Sequence, residues 1–350
     1  MDASHAIFTD NQNTPLNINP LLNAKIKDSL SKLFNNCRDG FASSIIDFKK
    51  ARIITAVISL TDEIPVHSPP FNLSTTERSQ LAQVINDFKS VNVREDSISP
   101  YASPAFLVNK PHLDKLPSEL TVDDEWLVVN YKKLNEKVIV DRYPLPRIDN
   151  IVTELRGFKY FSRFVFLQGF YQQELFLESR KYSASTTPHC LSQFTRQPMG
   201  IKNGSSSFSR ALHRVFADLL WHGVISFVDD LIIYSMTEEE HLKRLETAST
   251  RLKDHLLRLK TSKFIVLYPY IDILGFHITE QILSPSESNL LPIIKARPPK
   301  SFKELRSFIG SCTFYRKFIF NFSKLWKIDI GITSYSFYFI LFSFTFPLDR

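Results

Sequence analysis

Two adjacent carboxylates, Asp229 and Asp230, sit between Phe227-Val228 and Leu231-Ile-Ile-Tyr-Ser235, apolar runs rich in β-branched and aromatic residues. The pattern predicts a hairpin of two buried strands with paired acids at its tip. Burying two like charges side by side is costly unless something cationic neutralises them, and a divalent metal is the usual answer. Such a pair suits two-metal phosphoryl transfer. The plain alternative is an ordinary Asp-Asp turn in a hairpin; the neighbouring motifs favour the catalytic reading.

The elements that must position this pair are legible in outline. Leu21 to Phe34 carries apolar residues at helical spacing. Thr75 to Phe88 reads as a helix capped by Ser74 or Thr75, with Glu77 in its first turn and Leu81, Val84, Ile85 and Phe88 on one face. The rigid Ser99-Pro-Tyr-Ala-Ser-Pro104 leads into a strand at Ala105 to Val108, with Trp126 to Val129 as its hairpin partner. A helix at 148–155 precedes a strand over 160–166 and a turn at Gly169. An amphipathic helix over 204–220, the Asp-Asp hairpin at 224–235, a helix over 238–257, a strand-rich stretch at 263–278 and a basic helix over 303–318 complete the series. Helices alternating with a few hairpins indicate an α+β protein in several lobes.

Composition agrees. The chain of 350 residues is 43% apolar and has room for two to three compact units. A net charge of +7 favours a nucleic-acid partner. Cys37, Cys190 and Cys312 lie far apart, with neither metal-ligand spacing nor a disulfide framework, which suits a reducing, intracellular compartment, cytoplasmic or nuclear. The first residues lack the basic and apolar regions of a signal peptide. Ile330 to Leu348 runs nineteen residues without a charge, which makes 330–348 a marginal membrane-span candidate by length. Its serines, threonines, proline and many aromatics argue against a span. A non-native tail is the favoured reading and an apolar strand pair the third.

The ordered motifs resemble the reverse transcriptases of gypsy-type long-terminal-repeat retrotransposons over about residues 60–325. The anchors are Ser99-Pro-Tyr-Ala-Ser-Pro104, Asn130-Tyr131 with Leu134-Asn135, Asp141-Arg-Tyr-Pro-Leu-Pro-Arg-Ile148 and Lys159-Tyr-Phe-Ser162. They continue with Pro198-Met-Gly-Ile-Lys-Asn203, Phe227-Val-Asp-Asp230, Leu274-Gly275 and Lys303-Glu-Leu-Arg-Ser-Phe-Ile-Gly310. The resemblance implies a partial, degenerate copy of the polymerase portion of a Pol polyprotein. Its fold would be a right hand with fingers, a palm of antiparallel sheet plus helices, and a partial thumb or connection. On this reading 1–59 is an N-terminal extension, partly disordered; 60–278 is fingers and palm; 279–325 is the thumb/connection segment; and 326–350 is an aromatic tail outside the match.

The resemblance also implies the chemistry: RNA-directed DNA polymerisation with Mg2+ (or Mn2+) on an RNA template and DNA primer, using deoxynucleoside triphosphates. Asp229 and Asp230 match two of the family's three metal-binding aspartates. The position of the third, three residues past Ser162, is Val165. Valine supplies no oxygen, and losing even about 4 kcal/mol of electrostatic stabilisation lowers a rate by about 10³. Glu174 and Glu178 lie nearby in sequence as the alternative source of a carboxylate. The arginine that accompanies the family's Trp is missing beside Trp126, and its aspartate is Asn130.

Around the nucleotide the resemblance assigns Lys110 to the phosphates and Phe170 to the sugar. It assigns Met199 and Gly200 to the template base and Lys263 to the leaving phosphate. A solvated strand-end charge for Lys110, a core ring for Phe170 and a surface role for Lys263 are the plain alternatives. Leu274 and Gly275 match a hairpin that positions the primer end, and Lys303 and Arg306 lie on a helix that contacts the duplex backbone. The expected function is an impaired reverse-transcriptase-like domain of a retroelement; the alternative is a catalytically dead nucleic-acid-binding remnant.

Overall fold

Alternate residues of the strand Tyr160–Val165 have two destinations: Ser162 and Phe164 point to one side, Arg163 and Val165 to the other. In the computed structural model, which describes residues 16–42, 50–109, 125–319 and 322, this strand lies inside a four-stranded sheet. The order is Ile265–Tyr268, Tyr160–Val165, Asp230–Ser235, Val224–Phe227, and every pairing is antiparallel. Helices Gly204–Val215 and Glu238–Asp254 contribute Phe208, Leu212, Leu245 and Ala248 to the core that also holds Phe164, Leu231 and Ile233. Helix Ala24–Asn36 adds Ile26, Leu30 and Phe34, so this part of the expected extension is built into the sheet's packing. Each such side chain, fully buried, contributes about 1.5–3 kcal/mol. Behind the sheet, His241 bonds to Ser162 Oγ at 2.8 Å and Ser235 Oγ at 2.9 Å, tying two strands to one helix. Burial pushes its pKa down to about 3, so the ring is held neutral.

A second sheet of five strands runs in the order Arg94–Asp96, Leu191–Phe194, Ser185–Thr186, Ser103–Asn109, Glu125–Val129. The expected hairpin forms here, with Ala105 opposite Val129 and Val108 opposite Trp126. Helix Thr75–Ser90 lays Leu81, Val84, Ile85 and Phe88 onto the same core as Ala105, Leu127 and Phe194. Of the two candidate caps, Ser74 is the one used. Glu77 N donates to its Oγ at 3.3 Å and Ser74 N donates to Glu77 Oε2 at 2.7 Å, a reciprocal capping box.

Both sheets belong to one compact unit, drawn from Met1–Arg147 and Tyr160–Tyr268; a second is drawn from Ile148–Lys159 and Pro269–Arg350. The first unit thus ends at Tyr268. The reason is local pairing. Tyr270–Ile273 pairs with Phe276–Thr279, and that strand with Leu283–Pro285, to make a separate three-stranded sheet. Helices Ile148–Leu155, Glu287–Ile294 and Phe302–Phe314 accompany it. One helix is shorter than its apolar pattern. The one expected over 204–220 stops at Val215, and Trp221 and Gly223, at φ +63° and +105°, then turn the chain into the next strand.

The capping box yields a simple test. Ser74→Ala removes one acceptor from the first turn of Thr75–Ser90 and lowers the unfolding free energy by about 1 kcal/mol, read from the midpoint of a urea titration at unchanged slope.

Candidate active site and nucleic-acid surface

Strand register decides what faces the carboxylates. Val165 pairs directly with Asp230 across adjacent antiparallel strands, and Phe227 pairs with Asp230 across the hairpin. Val228 and Asp229 are left as the two central residues of the turn. Val228 is held at φ +51°, a left-handed conformation that strains a β-branched residue. The turn is secured from the neighbouring strand, where Phe166 N donates to Asp229 O at 2.8 Å.

The two acids have different surroundings. Asp229 Oδ1 is buried and has no hydrogen-bond partner among the described residues. Burial, and then the neighbouring charge of Asp230, push the Asp229 pKa up to about 6, while Lys263 opposes the shift. Asp230 is held by Arg163, whose Nε reaches Oδ1 at 3.1 Å and Nη2 reaches Oδ2 at 3.3 Å. Close against the pair lies Gly169. A Cβ there would stand 2.6 Å from Asp229 Oδ1 and 2.8 Å from the Phe208 ring, so only glycine fits.

These residues fit a full two-ion carboxylate set poorly. Val165 carries no ligand atom, and both oxygens of Asp230 are engaged by a cation of the protein itself. Glu174 does not make up the deficit, because it pairs with Lys50 at 2.7 Å and Arg180 at 3.4 Å. Glu178 lies in the 3-10 helix Leu177–Ser183, and neither glutamate is among the charges that act on Asp229. Among the described residues no group of three or more His, Cys, Asp or Glu could hold a metal ion. Sequence reading missed Arg163. The signal was its position two residues before Val165, which puts both on one face of the strand.

The nucleotide-side residues are placed as follows. Phe170 sits in the short helix Gly169–Gln172, half-buried, its ring edge-on to Phe208 at 5.9 Å. It thus packs on the core that backs the carboxylate hairpin. Lys263 ends the 3-10 turn Thr261–Lys263, exposed and within electrostatic reach of Asp229. Met199 packs against the second core, and Gly200 adopts φ +87°. Asn135 clamps their loop by donating to Gly200 O at 2.8 Å and accepting from Lys202 N at 2.8 Å. Asn203 extends the stitching, accepting from Asp141 N at 3.0 Å and donating to Ile139 O at 2.7 Å. Gly200 also lines an open cleft of about 810 Å³, together with Phe71, Phe106, Tyr131, Lys132 and Lys202. Lys110 and the 330–348 tail lie outside the described residues, and no described helix is long and apolar enough to cross a membrane.

In the second unit, Leu274 and Gly275 form the two-residue turn between paired strands, at φ +53° and +84°. That is the left-handed pair a tight hairpin needs. A Cβ on Gly275 would meet Tyr315 Oη at 2.8 Å and Asn289 Nδ2 at 2.9 Å. Lys303 and Arg306 are exposed on Phe302–Phe314. Lys317, by contrast, lies over the Phe276 ring at 4.4 Å and pairs with Asp149 at 3.7 Å, which gives it a structural role.

Two variants probe the carboxylate turn. The Asp229 pKa is raised above its ordinary 3.8, so its contribution to stability is complete below about pH 4 and is lost as pH rises through about 6. Asp229→Asn therefore stabilises the chain by about 2 kcal/mol at pH 8 and leaves it unchanged near pH 4, as read from denaturant titrations at both values. Gly169→Ala forces Asp229 or Phe208 aside and costs about 1–3 kcal/mol in the same titration at pH 8.

Residues 123–278 match the family described as reverse transcriptase (RNA-dependent DNA polymerase). The chain is 30% identical over 274 residues to the retrovirus-related Pol polyprotein from transposon 297 of Drosophila melanogaster, covering 78% of this chain and 25% of that protein. With the corresponding polyprotein from transposon gypsy of the same organism it shares 29% over 276 residues, covering 78% and 26%. The chain thus spans about a quarter of the length of these relatives. The foamy viral protease-reverse transcriptase solved in complex with RNA/DNA hybrid shares the fold, with a TM-score of 0.79 at 22% identity over 93% of this chain and 44% of that one. Sequence family and fold agree with the motif order, and the chain carries a reverse transcriptase domain of the kind found in the Pol polyproteins of gypsy-type retrotransposons.

Proposed function

We propose that this domain descends from an RNA-directed DNA polymerase and is impaired in nucleotidyl transfer at position 165. The observation that carries the reading is the register pair Val165–Asp230. The strand end that faces the hairpin acids, where the family places its third aspartate, presents a valine side chain and no oxygen. Family members use divalent metal, Mg2+ or Mn2+ for this chain, with two ions clamped between carboxylates to stabilise the charge that develops on the transferring phosphoryl group. With one acid missing and a second engaged by Arg163, the retained residues supply little of that stabilisation. A deficit of about 4 kcal/mol already lowers the rate by about 10³.

A second reading, a nucleic-acid-binding remnant without chemistry, is favoured by other features of the chain. The exposed Lys303 and Arg306, the net charge of +7 and the cleft that joins Phe71 and Phe106 to Lys132 and Lys202 suit a polyanion with exposed bases. Under either reading the partners are an RNA template paired with a DNA primer; deoxynucleoside triphosphates join them where polymerisation survives. Binding through phosphate contacts weakens as salt rises, with no dependence on base sequence.

Primer extension on an RNA template with Mg2+ or Mn2+ tests the impairment. The unmodified chain is expected to extend no further than an Asp229→Asn, Asp230→Asn double variant, and Val165→Asp to extend above both. Extension by the unmodified chain that the double variant abolishes would overturn the proposal. Silence from all three, with hybrid duplex still bound in a salt-dependent way, would select the second reading.

A further inference from the structure

One acid of the carboxylate pair already has a cationic partner within the chain. Asp229 and Asp230 carry two negative charges when ionised. Arg163 engages both oxygens of Asp230, at 3.1 and 3.3 Å, and Lys263 acts on Asp229 from the turn before the adjoining strand. A guanidinium is well suited to this place, because its planar fork meets a carboxylate with two parallel hydrogen bonds and it is always charged. The contact is sheltered, with Arg163 27% and Asp230 17% exposed, so water screens it less than a surface pair.

The register explains why the pairing is possible. Arg163 and Val165 share a face of their strand, and Asp230 lies opposite Val165, so Arg163 reaches Asp230 on the diagonal. The valine between them offers the guanidinium no competing acceptor. With a carboxylate at 165, Arg163 would have a second acid within the same short stretch of strand.

We infer that Arg163 is the resident counter-ion of this site, holding Asp230 in place of a divalent cation. The inference rests on reading Asp229 and Asp230 as the remnant of a metal-binding pair. A cation that binds here must first displace the guanidinium from both oxygens of Asp230. Charge at position 163 therefore adds to the side chain at 165 in setting cation affinity. Restoring the lost acid alone recovers part of the affinity and leaves the competition from Arg163 in place.

Binding of Mn2+ to the full chain tests this, with free Mn2+ followed by electron paramagnetic resonance and no primer, template or nucleotide present. The variants are Arg163→Met, which keeps an apolar stem, Arg163→Gln, which keeps a hydrogen-bond donor, and Arg163→Lys, which keeps the charge. Each is made alone and with Val165→Asp, and circular dichroism confirms the fold of each. The unmodified chain is expected to bind no more Mn2+ than the Asp229→Asn, Asp230→Asn control. Removing the charge in the Val165→Asp background should tighten binding about tenfold or more, the cost of breaking one charge-assisted pair. Arg163→Lys should bind more weakly than the Met and Gln variants. Equal affinity of Val165→Asp with and without Arg163 would overturn the inference. So would saturable binding to the unmodified chain that the control lacks. Since no nucleic acid takes part, failure here leaves the polymerase ancestry standing. Failure of the extension assay likewise leaves this result readable.

Discussion

One strand pairing governs the site: Tyr160–Val165 against Asp230–Ser235. Six consecutive residue pairs fix which side chains share a face, and a slip of one residue would turn every one of them over. The register is locked from behind. Phe164, Leu231 and Ile233 enter one core, and His241 bonds to a serine on each strand. With that face buried, the other must present Arg163, Val165 and Asp230 together. The identity of residue 165 matters because the register sets it directly opposite Asp230.

The turn above this pairing shows how closely a carboxylate can be packed. Asp229 lies against a glycine that admits no Cβ, and its neighbour Val228 sits in a strained left-handed conformation. An orphaned buried oxygen follows, and with it a carboxyl group that ionises reluctantly. In a working two-metal site such strain and desolvation are offset by bound ions. Here Arg163 holds Asp230, and Lys263 opposes only part of what burial and Asp230 impose on Asp229. The geometry of the turn is held by hydrophobic packing and strand pairing.

The surroundings are stitched by side-chain amides. Asn135 and Asn203 tie the loop of Met199 and Gly200 to the segment that follows the Glu125–Val129 strand. They do so with both ends of each amide, which leaves the loop backbone little freedom. In the second unit a separate hairpin is shaped by two consecutive left-handed residues, one of them Gly275, whose carbonyl accepts from Ser286 N and Tyr315 Oη. Both loops carry family motifs, and in both the motif residues act first on the backbone.

Much of this was legible in the sequence. Periodicity placed the helix beginning at Thr75, the paired strands around Ala105 and Trp126, and the Asp-Asp hairpin. The family resemblance, aligned on Ser162, implied that position 165 would face the acids. These are local properties, set by where apolar residues recur and where turns are forced. Boundaries were less legible: the helix that ends at Val215 carries apolar residues beyond its end, and the division after Tyr268 depends on which strand pairs with which. Arg163 was not legible as a partner of Asp230, since a basic residue in a strand looks like a solvated charge until its cross-strand neighbour is known. Nor did the sequence separate Asp229 from Asp230. They are adjacent and identical in type, and only tertiary packing buries one oxygen without a partner and gives the other acid a guanidinium. Sequence determined that residue 165 is a valine; the fold decided which charges face Asp230, because electrostatic partnership depends on distance and burial rather than on order along the chain.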